Sequence, residues 1–295
     1  MFQCRFRAGT RFRPLGAPAL AGRGAGHLSR PTGYSRLCAR DRLLRSVIGM
    51  NDLAVRLTGI SKRFGSVRAI DNLDLAVERG SVVAVLGPNG AGKTTAISMI
   101  LGLAPPDTGT VTLFGGSPAE AIRAGRIGAM LQDGAFVAGA TVRDLVELAR
   151  ALYTQPLDTD RILDTAGLTG IAGRRLDRLS GGEAQRARFA FALAGDPDLL
   201  ILDEPAAAMD VAARRAFWTA IRGYAGDDRT VLFSTHQLHE ADEYADRIVV
   251  LAAGRVVADG TAAQIRAQAG VRDGVSLDQA FLALTGLSTA TETEH

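Results

Sequence analysis

The chain has 295 residues, 47% of them hydrophobic, with 34 Lys and Arg against 31 Asp and Glu for a formal charge of +3. That length suits one large α/β domain with extensions, and no run of about 18 apolar residues is present to cross a bilayer. Residues 1–49 alone hold ten Arg and one Asp, a formal +9, which leaves −6 on the remainder and argues against polyanion binding by the core.

The basic first 49 residues carry both cysteines, Cys4 and Cys38, many Gly and Pro, and no apolar periodicity. Their composition fits a transit peptide, a basic arm for anionic lipid, or a stretch upstream of a start at Met50. Ordered patterning begins at Leu53, which favours the third. From residue 50 onward there is no Cys, as suits a reducing compartment.

Leu53, Val55 and Leu57 alternate with polar neighbours, and Leu73, Leu75 and Val77 do the same, predicting an antiparallel pair. The run Val82 to Leu86 is apolar throughout and reads as a buried strand. A helix is predicted over 95–101, with strands over 110–114 and 127–131. Thr141 with Asp144 forms a capping pair for a helix that puts Val142, Leu145, Val146, Ala149 and Leu152 on one face. Further helices are predicted over 158–166, 183–194 and 212–224, buried strands over 199–202 and 231–234, and a hairpin of 248–251 with 255–258. The end is helical from Ala262, then polar. Buried strands alternating with helices predict a parallel α/β core, preceded by an antiparallel sheet and interrupted by a helical insert at about 133–195.

Three motifs carry chemistry. Gly87-Pro88-Asn89-Gly90-Ala91-Gly92-Lys93-Thr94-Thr95 fits G-x-x-x-x-G-K-[ST] between a predicted strand and a predicted helix. The chain has only two lysines, Lys62 and Lys93, against 32 Arg. At 93 a compact ammonium fits inside a loop of backbone amides where a planar guanidinium would not. The glycines let N–H groups converge on phosphate oxygens, and the helix start faces the same anion. Lys93 is expected on the β- and γ-phosphates and the Thr94 hydroxyl on Mg²⁺. Second, the strand at 199–202 ends in Asp203 and Glu204. A carboxylate there can hold Mg²⁺, and its neighbour can orient or deprotonate an attacking water. Third, Ser180-Gly181-Gly182-Glu183 is a capping box whose glycines bare a second anion-binding helix start. One nucleotide already has the first loop, so the second suggests service to another molecule's nucleotide.

In this order the motifs make the chain resemble the nucleotide-binding subunit of an ATP-binding-cassette (ABC) transporter over about residues 52–260. Gly87 to Thr94 is similar to Walker A, Leu179 to Glu183 to the signature, and Ile201 to Glu204 to the end of Walker B. The resemblance implies a P-loop NTPase core, a parallel sheet with flanking helices, joined to an N-terminal antiparallel β subdomain and an inserted helical subdomain. It implies an ATPase domain over 50–260 and a C-terminal extension over 261–295. It also implies that the 87–95 loop binds ATP, with Phe64 stacked on adenine where Tyr is usual. Mg²⁺ is then held by Thr94, Gln132 and Asp203. Gln132 also meets the permease, while Glu204 and His236 act on water and γ-phosphate. Ser180, Gly181 and Gly182 close on the nucleotide of a second copy, and Asp210 bridges the head-to-tail dimer. An integral-membrane permease is the implied partner, at the cytoplasmic face of the membrane.

The stretch Ala206-Ala207-Ala208-Met209-Asp210 departs from the usual Thr-x-Gly-Leu-Asp, and Glu183 replaces a frequent Gln. The resemblance is strongest to drug- and antibiotic-export ATPases, whose C-terminal element residues 276–286 are similar to; an amphipathic helix ending at Gly286 explains that stretch equally. Two other readings stay open: a soluble ABC ATPase acting on another macromolecule, and a cassette that binds ATP without hydrolysing it. The complete set of acids and His236 argues against the latter. One cassette, no heptad insert and an acidic core argue against the former and against nucleic acid as a partner.

Overall fold

The computed structural model describes residues 52–132, 136–137, 139–226, 229–270 and 276–286. The basic stretch 1–49, the start at Met50 and the polar end 287–295 lie outside them.

Two sheets organise the fold. β1 (Leu53–Phe64) pairs antiparallel with β2 (Val67–Glu78) and with β4 (Thr108–Leu113) in a three-stranded sheet. The larger sheet has the order β5-β6-β7-β3-β8-β9, from β3 (Val82–Leu86), β5 (Ile127–Met130), β6 (Leu199–Asp203), β7 (Thr230–Thr235), β8 (Arg247–Ala252) and β9 (Arg255–Gly260). Its first five strands are parallel, and β9 closes the edge as the antiparallel arm of a hairpin.

The continuous apolar runs follow from burial of this sheet on both faces. Along β3, Val82, Ala84 and Leu86 enter one core, while Val83 and Val85 enter the other. β6 divides in the same way, Leu200 and Leu202 against Leu199 and Ile201. The second core is shared with α1 (Lys93–Ile100) and the three-stranded sheet. The first is covered by α3 (Val142–Arg150), α4 (Thr159–Thr165), α5 (Gly181–Leu193), α6 (Val211–Tyr224) and α7 (Leu238–Tyr244), with α8 (Ala262–Gln268) and α9 (Leu277–Thr285) near the chain end. α2 (Pro118–Arg123) completes the α-helices of the described residues.

Helix starts obey local chemistry. Capping boxes join Ser117 to Glu120, Thr141 to Asp144, Ser180 to Glu183 and Thr261 to Gln264, each satisfying two otherwise orphaned backbone donors. The predicted face of α3 is buried at Val142, Leu145, Val146 and Ala149. Leu152 is not part of it: the helix ends at Arg150, and Leu152 is 67% exposed. The chain adds two short helices the periodicity does not predict, α2 and α7, and starts α1 at Lys93 itself.

Candidate active site

The parallel arrangement brings the C-terminal ends of β3, β6 and β7 side by side, where open α/β sheets place their ligands. The loop after β3 runs through residues 87–92 into α1. Gly92 is the N-cap at φ 103°, in the left-handed region. A Cβ there would stand 2.5 Å from the Ala69 carbonyl oxygen and 2.7 Å from Ile70 Cδ1, so both conformation and space demand glycine.

Lys93 is buried in this loop. Its Nζ donates to the carbonyls of Gly87 at 2.8 Å and Pro88 at 3.3 Å, and lies 3.9 Å from Glu204 Oε1. Burial pulls the ammonium below the ordinary lysine range, and the carboxylates of Glu204 and Asp203 hold part of that shift back.

Asp203 and Glu204 follow one another and turn to different partners. Asp203 Oδ2 accepts the Thr94 hydroxyl at 3.0 Å, and Oδ1 accepts the Ser234 hydroxyl. Glu204 has φ 51°, left-handed for a residue with a side chain. Its N–H donates to both the carbonyl and the hydroxyl oxygen of Ser234 at 3.1 Å, which holds the backbone in that conformation. Its Oε2 lies 2.7 Å from His236 Nδ1. The contact uses Nδ1 and leaves Nε2 as the ring's other polar atom. One buried carboxylate thus faces a lysine on one oxygen and a histidine on the other.

A cavity of about 310 Å³ opens here, lined by residues 89–95 with Val67, Ala69, Gln132 and Glu204. Phe64 is half exposed and pairs in register with Val67 at the same rim, with Lys62 Nζ 5.8 Å from its ring centroid. Ser180, Gly181, Gly182 and Asp210 are absent from the lining. They form a second group. An added Cβ on Gly181 would meet Ala208 Cβ at 3.2 Å, and Asp210 caps α6 through the Ala213 N–H. Glu183 Oε2 accepts the Ser180 N–H at 2.9 Å, and this bond is the main reason its carboxyl lies below the usual range.

The sequence reading misses Ser234, which ties the two acids to β7. Its signal was a hydroxyl closing an otherwise apolar run. Chemically, the arrangement offers amides and an ammonium for a polyphosphate, and a hydroxyl–carboxylate pair of hard oxygens for a divalent cation. A carboxylate–imidazole pair stands beside them for water.

The chain is similar to known proteins over most of its length. The family model described as ABC transporter matches residues 70–207. The daunorubicin resistance ATP-binding protein DrrA3 of Streptomyces coeruleorubidus is 36% identical over 260 residues, 82% of this chain and 82% of its own length. The Nod factor export ATP-binding protein I of Sinorhizobium fredii is 39% identical over 217 residues, 71% of this chain and 63% of that protein. Among solved structures, the dimeric post-hydrolysis ATP-binding cassette MJ0796 bound to ADP and Pi superposes with a TM-score of 0.65 at 26% identity, over 70% of this chain and 98% of that one. With a phosphate-loop lysine, two strand-end acids and a histidine linked at adjoining strand ends of the matching fold, the chain belongs to the ABC transporter family as an ATP-binding and ATP-hydrolysing subunit.

Proposed function

We propose that this subunit powers export of a small molecule through a separate membrane permease, working as a head-to-tail pair of identical copies. The observation that carries the catalytic part is the meeting of Lys93, Thr94 with Asp203, and Glu204 with His236 at adjoining strand ends. Export is supported by the drug-resistance and Nod-factor-export relatives. A separate permease is what membership of the ABC transporter family supports, and the subunit docks on it at the cytoplasmic face; no helix among the described residues is long and apolar enough to cross a membrane. Residues 50–260 are the proposed ATPase domain, with the helical insert at about 133–195 and a C-terminal extension over 261–295.

In this reading, Phe64 stacks on the adenine and the amides from Gly87 to Thr95 wrap the phosphates. Lys93 exchanges the Gly87 and Pro88 carbonyls for β- and γ-phosphate oxygens. Thr94 and Asp203, which are hydrogen-bonded to each other, would hold Mg²⁺ together with Gln132 of the cavity lining. When bound, the ion offsets charge on the phosphates. Glu204 takes the proton of the attacking water, and His236 holds Glu204 and meets the γ-phosphate. Ser180, Gly181 and Gly182 of the second copy present their helix start to the same γ-phosphate, and Asp210 lies between the copies. Hydrolysis removes the shared anion, the pair opens, and the motion passes through the Gln132 loop to the permease.

The test is Glu204→Gln. The variant is expected to bind ATP, to lose turnover by about a hundredfold or more, and to run as a dimer on size exclusion in ATP. Wild-type turnover in that variant would remove Glu204 from its role. A membrane-vesicle preparation of the complex that accumulates no drug-like substrate upon ATP addition would remove the export assignment.

A further inference from the structure

Glu240 is a buried carboxylate, 1% exposed, that the mechanism above leaves unused. It lies in the first turn of α7, five residues beyond Thr235. Its Oε2 accepts the Thr235 hydroxyl at 2.7 Å, and Thr235 Oγ1 accepts the Gln237 N–H at 3.0 Å. Thr235 and Gln237 flank His236, so one hydroxyl pins both sides of the turn that carries the imidazole, and Glu240 holds that hydroxyl. The His236 ring itself is exposed and needs such a mount.

The other oxygen, Oε1, has no hydrogen-bond partner among the described residues, and neither has Arg214 Nε, which lies 3.6 Å from it. Arg214 sits in the first turn of α6 and donates from Nη2 to the Met209 carbonyl at 3.0 Å. Met209 precedes Asp210, the cap of α6, and the same loop lies against Gly181 and Gly182 at the start of α5. A continuous set of contacts therefore runs from the signature helix start through the 206–210 loop and Arg214 to the edge of Glu240, then to the His236 turn. At their far ends α6 and α7 are fastened by the Trp218–Tyr244 stack, at 5.2 Å, and by Arg222 to the Tyr244 carbonyl and Asp246. The near ends meet only in the 3.6 Å contact of Arg214 Nε with Glu240 Oε1, beyond hydrogen-bond length.

A buried ion pair without its hydrogen bond is a poor stabiliser, since apolar residues of similar volume commonly do as well. An unpaired buried oxygen calls for a different explanation. We propose that Arg214 and Glu240 are positioning residues that complete their hydrogen bond when the second copy presses on the 206–210 loop, and so fix His236 against Glu204. The inference rests on the two-copy reading above. It makes each site's histidine depend on the state of the face that serves the other nucleotide.

The test is ATP turnover by the purified full chain as a function of ATP concentration, with the double variant Arg214→Leu/Glu240→Leu. Wild type is expected to be sigmoidal, with a Hill coefficient approaching about 2, the limit for two sites. The double variant is expected to stay folded and to keep its affinity for a fluorescent ATP analogue. Its turnover should fall by about tenfold to a hundredfold, the range for a misplaced catalytic group, and its Hill coefficient to about 1. Should the double variant fail to fold, Glu240→Gln serves, because it keeps the shape and the Thr235 bond while removing the charge that draws Arg214; the same loss of cooperativity is expected. A folded variant with wild-type turnover and Hill coefficient would overturn the inference alone. A wild type with no cooperativity and no ATP-dependent dimer by sedimentation would overturn the two-copy reading and this inference with it.

Discussion

Thr94 Oγ1 donates a 3.0 Å hydrogen bond to Oδ2 of Asp203, a residue 109 positions further along the chain. One comes from the first turn of α1 and the other from the last position of β6, and the two oxygens converge on one point beside the phosphate loop. Replacing Thr94 by Val removes one oxygen and leaves Asp203 Oδ2 without its donor. The Mg²⁺ concentration for half-maximal turnover is expected to rise about tenfold to a hundredfold. Binding of ATP without metal should change little. A magnesium titration of turnover, beside nucleotide binding in chelator, checks both.

Lys93 supplies a pH dependence. Its pKa in the folded chain lies below the ordinary 10.5, chiefly through burial. Between the folded value and 10.5 the unfolded chain binds the extra proton, so rising pH favours the fold in that window. The cost of burying the ammonium is present in full below the folded value and fades above it. In thermal melts, wild type should therefore gain on Lys93→Met as pH climbs towards 10.5. A constant gap across that range would contradict the assigned burial.

Phe64 is half exposed and pairs with Val67 of the cavity lining, with no hydroxyl to offer the base. Its contribution is a π face alone. Phe64→Ala should weaken ATP binding about threefold to tenfold, the range for one aromatic pair, while Phe64→Tyr should hold within about twofold. Equilibrium binding of a fluorescent ATP analogue measures the difference.

Gly128 in β5 faces the end of α5. A Cβ there would sit 2.2 Å from the Ala192 carbonyl oxygen and 2.8 Å from Pro197 Cγ. Backbone cannot yield as a flexible side chain does, so Gly128→Ala should cost about 1–3 kcal/mol, and roughly 3–10 °C in melting temperature. Calorimetry on the pair of proteins tests it.

Much of this architecture is legible before any coordinates. The apolar runs at 82–86, 199–202 and 231–233 announce themselves because both faces of their sheet are covered, so no polar residue interrupts them. Ser180 with Glu183 and Thr141 with Asp144 declare helix starts because capping chemistry is local. Pro118–Arg123 carried the same signal, Ser117 with Glu120 and a proline at the first turn, in a segment too short for periodicity. Leu238–Tyr244 has no side-chain cap and offers no such mark. What spacing cannot express is lateral order. Ser234 reaches Asp203, and His236 reaches Glu204, because β6 and β7 are neighbours. Neither pairing follows from residues about thirty apart in the chain. Glu204's left-handed backbone is likewise invisible in a Leu-Asp-Glu-Pro string, since it is imposed by β7.

The scarcity of lysine has a practical corollary. Lys62 donates to Asp107 and lies beside Phe64, and Lys93 is enclosed by the phosphate loop, so both ε-amines of the chain border the proposed nucleotide. An acylating reagent has no other side-chain amine to modify in 295 residues. Its yield at these two sites, read by mass spectrometry with and without ATP, becomes an occupancy gauge that the protein carries natively, with no reporter to engineer.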